Sequence, residues 1–354
     1  MDTPNVKPFT NCPALDGCHC QTNSLAKIFH HAGHPLSEEM LLGLGAGQGF
    51  FYWHQKGAWP FIGGRSNVKN FFTDLGTRCG VKIESKSTSS VKKARESLIA
   101  KMGLRQPVMV FGDMGYLPWF SHFPEDYHFG GHTFVICGFN WGDIFLAPDI
   151  DPKSGGIKKG FFAPITMEQL EKARNSPYKP FPPKNTWLEF DFSGYHPPGP
   201  ADIYRAIRQT VSDMLNPPIS NAGIKGIRRT GQEMKKWTRK YDEKTARMIL
   251  FNIHIFIDIG GTGGGIFRFM YARFLKEAAE ITSNPALAEI SEIIADSGRQ
   301  FSETGRLFED FEKPYNMEER ISQANKKFND IANVETVAYK QLMQAIPDEE
   351  NYPN

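Results

Sequence analysis

The chain changes character at Tyr195-His196-Pro197-Pro198-Gly199-Pro200. Proline fixes φ and withholds a backbone donor, so a Pro/Gly cluster interrupts helix and strand alike. Before it, short apolar runs alternate with helical periodicity. After it, nearly every segment reads as helix. A chain of 354 residues is long enough for two domains. The expected organisation is therefore an α+β domain over residues 1–196, followed by an all-α helical bundle over 197–354.

Within the first half, Thr22 to Ala32 is expected to be helical, with Leu25, Ile28, Phe29 and Ala32 on one face. Leu36 to Leu44 reads as a second short helix, with Ser37 as N-cap before Glu38 and Glu39. A glycine-rich stretch, Gly43 to Gly49, then leads into the aromatic run Phe50–Trp53. Asn67–Leu75 and Val91–Met102 are expected helices. Pro107–Phe111, Thr133–Phe139, Asp143–Ala147 and Thr186–Phe192 are expected strands. Beyond the Pro/Gly cluster the helices are expected near 201–215, 222–238, 243–259, 266–282, 285–311 and 317–345. The polar end from Pro347 to Asn354 is expected to be loose.

Composition narrows the function classes. Lys and Arg number 41 against 39 Asp and Glu, without a long basic run, so nucleic acid is not an expected partner. The most apolar stretch, Ile249 to Ile259, carries Asn252, His254 and Asp258 and is too short to span a bilayer, so no membrane association is expected. The start Met1-Asp2-Thr3-Pro4-Asn5 lacks the basic and apolar segments of a signal peptide. Five cysteines, an odd number without that signal, suggest free thiols in the cytoplasm.

The chemistry-bearing residues occur in a particular order. Cys20 lies just before a helical pattern. His132 opens a strand after Gly130 and Gly131. Asp149 follows 17 residues later, at the end of the next strand. A thiol at a helix N-terminus meets partial positive charge and free N–H groups, which favour the thiolate and can bind an oxyanion. A nearby imidazolium lowers the thiol pKa further, and a third group must orient the imidazole. The hairpin turn at Asn140-Trp141-Gly142-Asp143 returns the chain toward His132. That makes Asp149 the expected orienter and Asp151 the alternative. This is the chain order of a papain-like thiol site. Cys18, Cys79 and Cys137 read as small buried hydrophobes.

Rival uses of these residues are weaker. Cys18-His19-Cys20 with Cys12 upstream lacks the second paired half of a zinc knuckle. His30, His31 and His34 fit a solvated helix C-terminus better than a metal site. Gly43 to Gly49 follows a helix rather than a strand, so it is no dinucleotide fingerprint. Gly260 to Gly265 lacks the Lys-Ser/Thr of a phosphate loop and most simply permits a tight crossing of helices. Neither a metal nor a cofactor is called for.

At Gly17-Cys18-His19-Cys20-Gln21-Thr22-Asn23-Ser24-Leu25, Leu41 to Gly47, Phe61-Ile62-Gly63-Gly64-Arg65 and Gly131-His132-Thr133, the chain resembles the N-terminal domain family of butirosin biosynthesis protein H. Gly223 to Arg228 and Gly261 to Tyr271 resemble a helical domain of unknown function that often follows it. The resemblance implies a papain-like, bacteriocin-leader-peptidase-like fold with a Cys–His–Asp site. It also implies acyl transfer from an acyl-carrier-protein thioester to an aminoglycoside amine, the founding member's activity. Carried over, Cys20 is the nucleophile, His132 the base and Asp149 the orienter. Papain-like enzymes usually place an oxyanion Gln about six residues before the nucleophile, and here that position is Ala14. The oxyanion hole is therefore built differently or is absent.

The expected function is cytoplasmic, cysteine-dependent acyl transfer, or amide or thioester hydrolysis, through an acyl-enzyme on Cys20. The expected partners are a small-molecule or peptide amine acceptor and a carrier-protein thioester donor. The alternative is a non-catalytic binding or scaffold protein on a cysteine-enzyme fold, with its helical half as an interaction surface or as the surface of a homodimer.

Overall fold

The computed structural model describes residues 6–140, 143–151 and 156–352. In chain order the elements are α1 (Cys20–His31), α2 (Glu38–Leu44), β1 (Gln48–Trp53), β2 (Phe61–Arg65), α3 (Phe71–Cys79), β3 (Lys82–Lys86), α4 (Val91–Gly103), β4 (Val108–Gly112), β5 (His132–Ile136), β6 (Gly138–Asn140), β7 (Ile144–Ile150), β8 (Gly160–Thr166), α5 (Met167–Arg174) and β9 (Trp187–Asp191). Helices follow: α6 (Pro200–Leu215), α7 (Gly223–Met234), α8 (Trp237–Lys240), α9 (Glu243–His254), α10 (Arg268–Thr282), α11 (Pro285–Arg306) and α12 (Met317–Ala345). The architecture is a mixture of helix and antiparallel sheet, of the α+β kind.

The chain forms two compact units, and they do not follow the single cut at 196/197 expected from the sequence. The first joins the residues up to Leu41 with Gly80–His196. The second joins Leu42–Cys79 with the chain from Pro197 onward. Residues 42–79 thus belong with the helical unit. The aromatic run there lies in β1, which forms an antiparallel hairpin with β2, with Phe51 opposite Gly63 and Trp53 opposite Phe61.

In the first unit, an antiparallel sheet of four strands runs β3–β9–β4–β5, and a second of three strands runs β6–β7–β8. The continuous strand expected over 133–139 is divided at Cys137, so β5 belongs to one sheet and β6 to the other. The expected turn at 141–142 lies outside the described residues. Every residue of β5 is buried. Helix α1 packs on β5, β4 and β7, and its residues 22–29 are all buried. Gly33, at φ +83°, ends α1 in the left-handed conformation that suits glycine, and His34 N–H donates to Phe29 O at 2.9 Å.

In the second unit, α7, α10, α11 and α12 make the principal helix contacts. Three expected helices are altered. The one over 222–238 is divided into α7 and α8, and the one over 243–259 passes after His254 into a π-helical turn, Ile255–Ile259. The helix expected from Ile266 begins at Arg268, because Ile266 and Phe267 stand at φ +49° and +72°. The glycines before it serve close packing, as expected: a Cβ on Gly265 would lie 2.7 Å from Gly298 Cα of α11. Arg268 and Glu335 form a fully buried ion pair, with Nε–Oε1 at 2.8 Å and Nη2–Oε2 at 3.0 Å. Ser297 donates to Glu335, and the carbonyls of Gly49 and Ile266 accept from Arg268. Among the described residues no helix is long and apolar enough to cross a membrane.

Candidate active site

Cys20 is the first residue of α1, so its thiol sits where the helix leaves N–H groups unsatisfied. His19 is the N-cap: its backbone is extended and its Nδ1 accepts from Thr22 N–H at 3.4 Å. Cys20 is partly exposed, whereas Cys12, Cys18, Cys79 and Cys137 are buried. Burial by itself would push the Cys20 thiol up. The hydrogen bond and charge of His132 outweigh it, aided by the Thr133 amide, and the net effect is a lowered pKa.

His132 is the first residue of β5 and pairs across the sheet with Gly112. Its Nε2 lies 2.8 Å from Asp149 Oδ2, which leaves the other ring nitrogen for the thiol. Burial opposes the imidazolium, but the Asp149 carboxylate and then Cys20 raise its pKa to about 10. Asp149, on β7, is buried. Burial alone would raise its pKa, but the His132 charge and hydrogen bond leave it lowered. Its Oδ2 also accepts from Trp119 Nε1 at 2.8 Å, and its Oδ1 from Ile150 N–H at 2.8 Å. Phe120 meets the His132 ring edge-on, with centroids 5.0 Å apart. The structure therefore brings Cys20, His132 and Asp149 together, with Asp149 rather than Asp151 against the imidazole.

Several supporting residues have no short-range signature in the sequence. Glu38, expected only to favour the first turn of α2, is buried and turns its carboxylate onto the approach to Cys20. It accepts from Cys18 N–H, His19 N–H at 3.1 Å, Thr22 Oγ1 at 3.1 Å and Asn23 Nδ2 at 2.6 Å. Burial pushes Glu38 up in pKa against those donors. Gly17 is necessary here, because a Cβ would collide with Glu38 and Asn23. Buried Lys27 donates to Pro148 O at 3.0 Å, beside Asp149. Trp119 sits in a 3-10 turn, Pro118–Phe120, between β4 and β5.

Other candidates have separate partners. Gly130 admits the Phe181 carbonyl and Pro183, which a Cβ would meet. His128 Nδ1 bonds Asp113 Oδ2 at 2.9 Å and its ring stacks on Tyr178. His30 and His31 bond the carbonyls of Asn11 and Thr10. His34 stacks on Tyr195. The Cys137 thiol is pushed up first by its hydrogen bond with Cys12, then by burial. Among the described residues no three His, Cys, Asp or Glu side chains converge on a common metal position.

Residues 19–147 match the family described as butirosin biosynthesis protein H, N-terminal. Residues 168–342 match a second family, a domain of unknown function (DUF4872). No curated protein matches the chain. The match to the protein H domain includes Cys20 and His132 and ends just before Asp149.

Proposed function

We propose that the first unit is a papain-like cysteine enzyme that transfers an acyl group from a thioester or amide donor to an amine acceptor. The observation that carries this reading is the partly exposed Cys20 at the start of α1, set against a His132 whose Nε2 is held by Asp149 at 2.8 Å. The match to a family described as a biosynthesis protein supports a biosynthetic acyl-transfer role.

The Cys20 thiolate attacks the donor carbonyl and a C–S bond forms. The tetrahedral oxyanion collapses, and the leaving thiol or amine takes the proton from His132. The acyl-enzyme is then attacked by the amine, whose proton passes to His132, and a second collapse releases the amide and regenerates the thiolate. Water in place of the amine gives hydrolysis. Asp149 holds the imidazole in orientation and stabilises its cationic form throughout.

The test is intact-protein mass spectrometry after exposure to a panel of acyl N-acetylcysteamine thioesters. One acyl adduct on Cys20, absent from Cys20→Ala and discharged by added amines, is the expected result. A wild type that never acquires an adduct would favour a binding protein on an enzyme fold.

A further inference from the structure

Position 14, where papain-like enzymes carry an oxyanion glutamine, is Ala14. The surroundings of the thiol offer a different donor. Gly17 and Lys158 form an antiparallel bridge: Gly17 N–H donates to Lys158 O at 2.9 Å, and Lys158 N–H to Gly17 O at 2.6 Å. Asp16 reinforces it, accepting from Lys159 Nζ and from Gly160 N–H, each at 2.9 Å. The backbone of Lys158 is thereby tied to the segment that leads into Cys20.

The side chain of Lys158 is unusual in two respects. It belongs to a residue only 8% exposed, yet among the described residues its ammonium makes no hydrogen bond or ion pair. Burial pushes its pKa down, opposed by the charges of Cys20 and then Asp149. A cation with no fixed partner at the edge of a largely buried side chain is free to pair with an anion that arrives beside it. During acylation the negative charge leaves sulfur and develops on the carbonyl oxygen. A donor already fixed nearby stabilises that charge without reorganising.

We infer that Lys158 is a catalytic residue that donates a hydrogen bond to the oxyanion formed at Cys20, in the role a glutamine at position 14 would serve. The inference rests on the thiol-enzyme reading above. Lys158 keeps its proton throughout: it binds the oxygen while the C–S bond forms and the leaving group departs with the proton of His132.

Two reactions of one thiol separate this role from a merely structural one. Alkylation by iodoacetamide displaces iodide at a saturated carbon and forms no oxyanion. Acylation by a thioester passes through one. Lys158→Met is expected to acylate Cys20 about 100–1,000-fold more slowly than wild type, the usual cost of losing one oxyanion donor. Its alkylation rate at pH 7 should stay within about threefold, which also reports an intact pocket. Lys158→Arg, which keeps charge and donors, should recover part of the acylation rate. Equal losses in both reactions, or none in either, would overturn the assignment while leaving Cys20 as nucleophile. A wild-type Cys20 that is alkylated but never acylated would remove the acyl-transfer reading itself, and this assignment with it.

Discussion

At the scale of single residues, the site is a set of charges that hold each other in place. His132 has its pKa raised to about 10 by Asp149 and Cys20 against the effect of burial. Its contribution to stability is therefore complete below about pH 6.5, the pKa of an unfolded His, and is lost as pH rises through about 10. Asp149 works in the opposite direction. Burial is outweighed by His132 and its pKa is lowered, so its contribution is present above about pH 3.9 and is lost as pH falls through the folded value. Trp119 supports that carboxylate with one of the two bonds to Oδ2. Trp119→Phe should cost about 1.5–3 kcal/mol, as for a hydrogen bond to a charged group, and move the acid-unfolding midpoint upward. Denaturant and acid titrations followed by circular dichroism measure both. The placement of Cys20, His132 and Asp149 at element ends is legible in the sequence, because order and flanking patterns mark each end. The roles of Trp119 and Lys158 are not, because they depend on bonds and neighbours outside their local sequence.

At the scale of elements, α1 starts where it does because His19 caps it and Glu38 gathers four donors around the preceding turn. Glu38→Gln replaces one acceptor oxygen with a donor facing donors. About 1–3 kcal/mol of stability should be lost, and Cys20 should react more slowly as its helix start loosens. The variant's thermal midpoint and alkylation rate together check this. In the helical unit, Glu335→Ala leaves Arg268 as an uncompensated buried charge and should cost about 3–5 kcal/mol, read from urea unfolding. Periodicity located most helices there, and the breaks it missed have local causes. Ile266 and Phe267 adopt left-handed conformations that a helical pattern does not announce. The π turn at Ile255–Ile259 interrupts a segment that remains periodic in sequence.

At the scale of the whole molecule, the chain passes between its two units at 41/42, 79/80 and 196/197. The Pro/Gly cluster announces only the last of these. The other two lie within or beside helices whose local sequence is ordinary, so one linear cut was the natural reading. This has a consequence for fragments. A polypeptide of residues 1–196 retains β1, β2 and α3 but loses the chain beyond Pro197 that completes their unit, baring the buried Phe50 and Phe71. It is expected to bind a hydrophobic dye and to aggregate, whereas the full chain should do neither; size-exclusion chromatography and dye fluorescence make the comparison.

The central claim is that Cys20 and His132 form a thiolate–imidazolium pair, and the pH dependence of iodoacetamide labelling tests it most directly. Labelling would be located by mass spectrometry in wild type and in His132→Ala. Wild-type Cys20 should label rapidly at about pH 6, far below the ordinary thiol pKa of about 8.5, and His132→Ala should return it to that ordinary profile. An ordinary profile in both proteins would contradict the account.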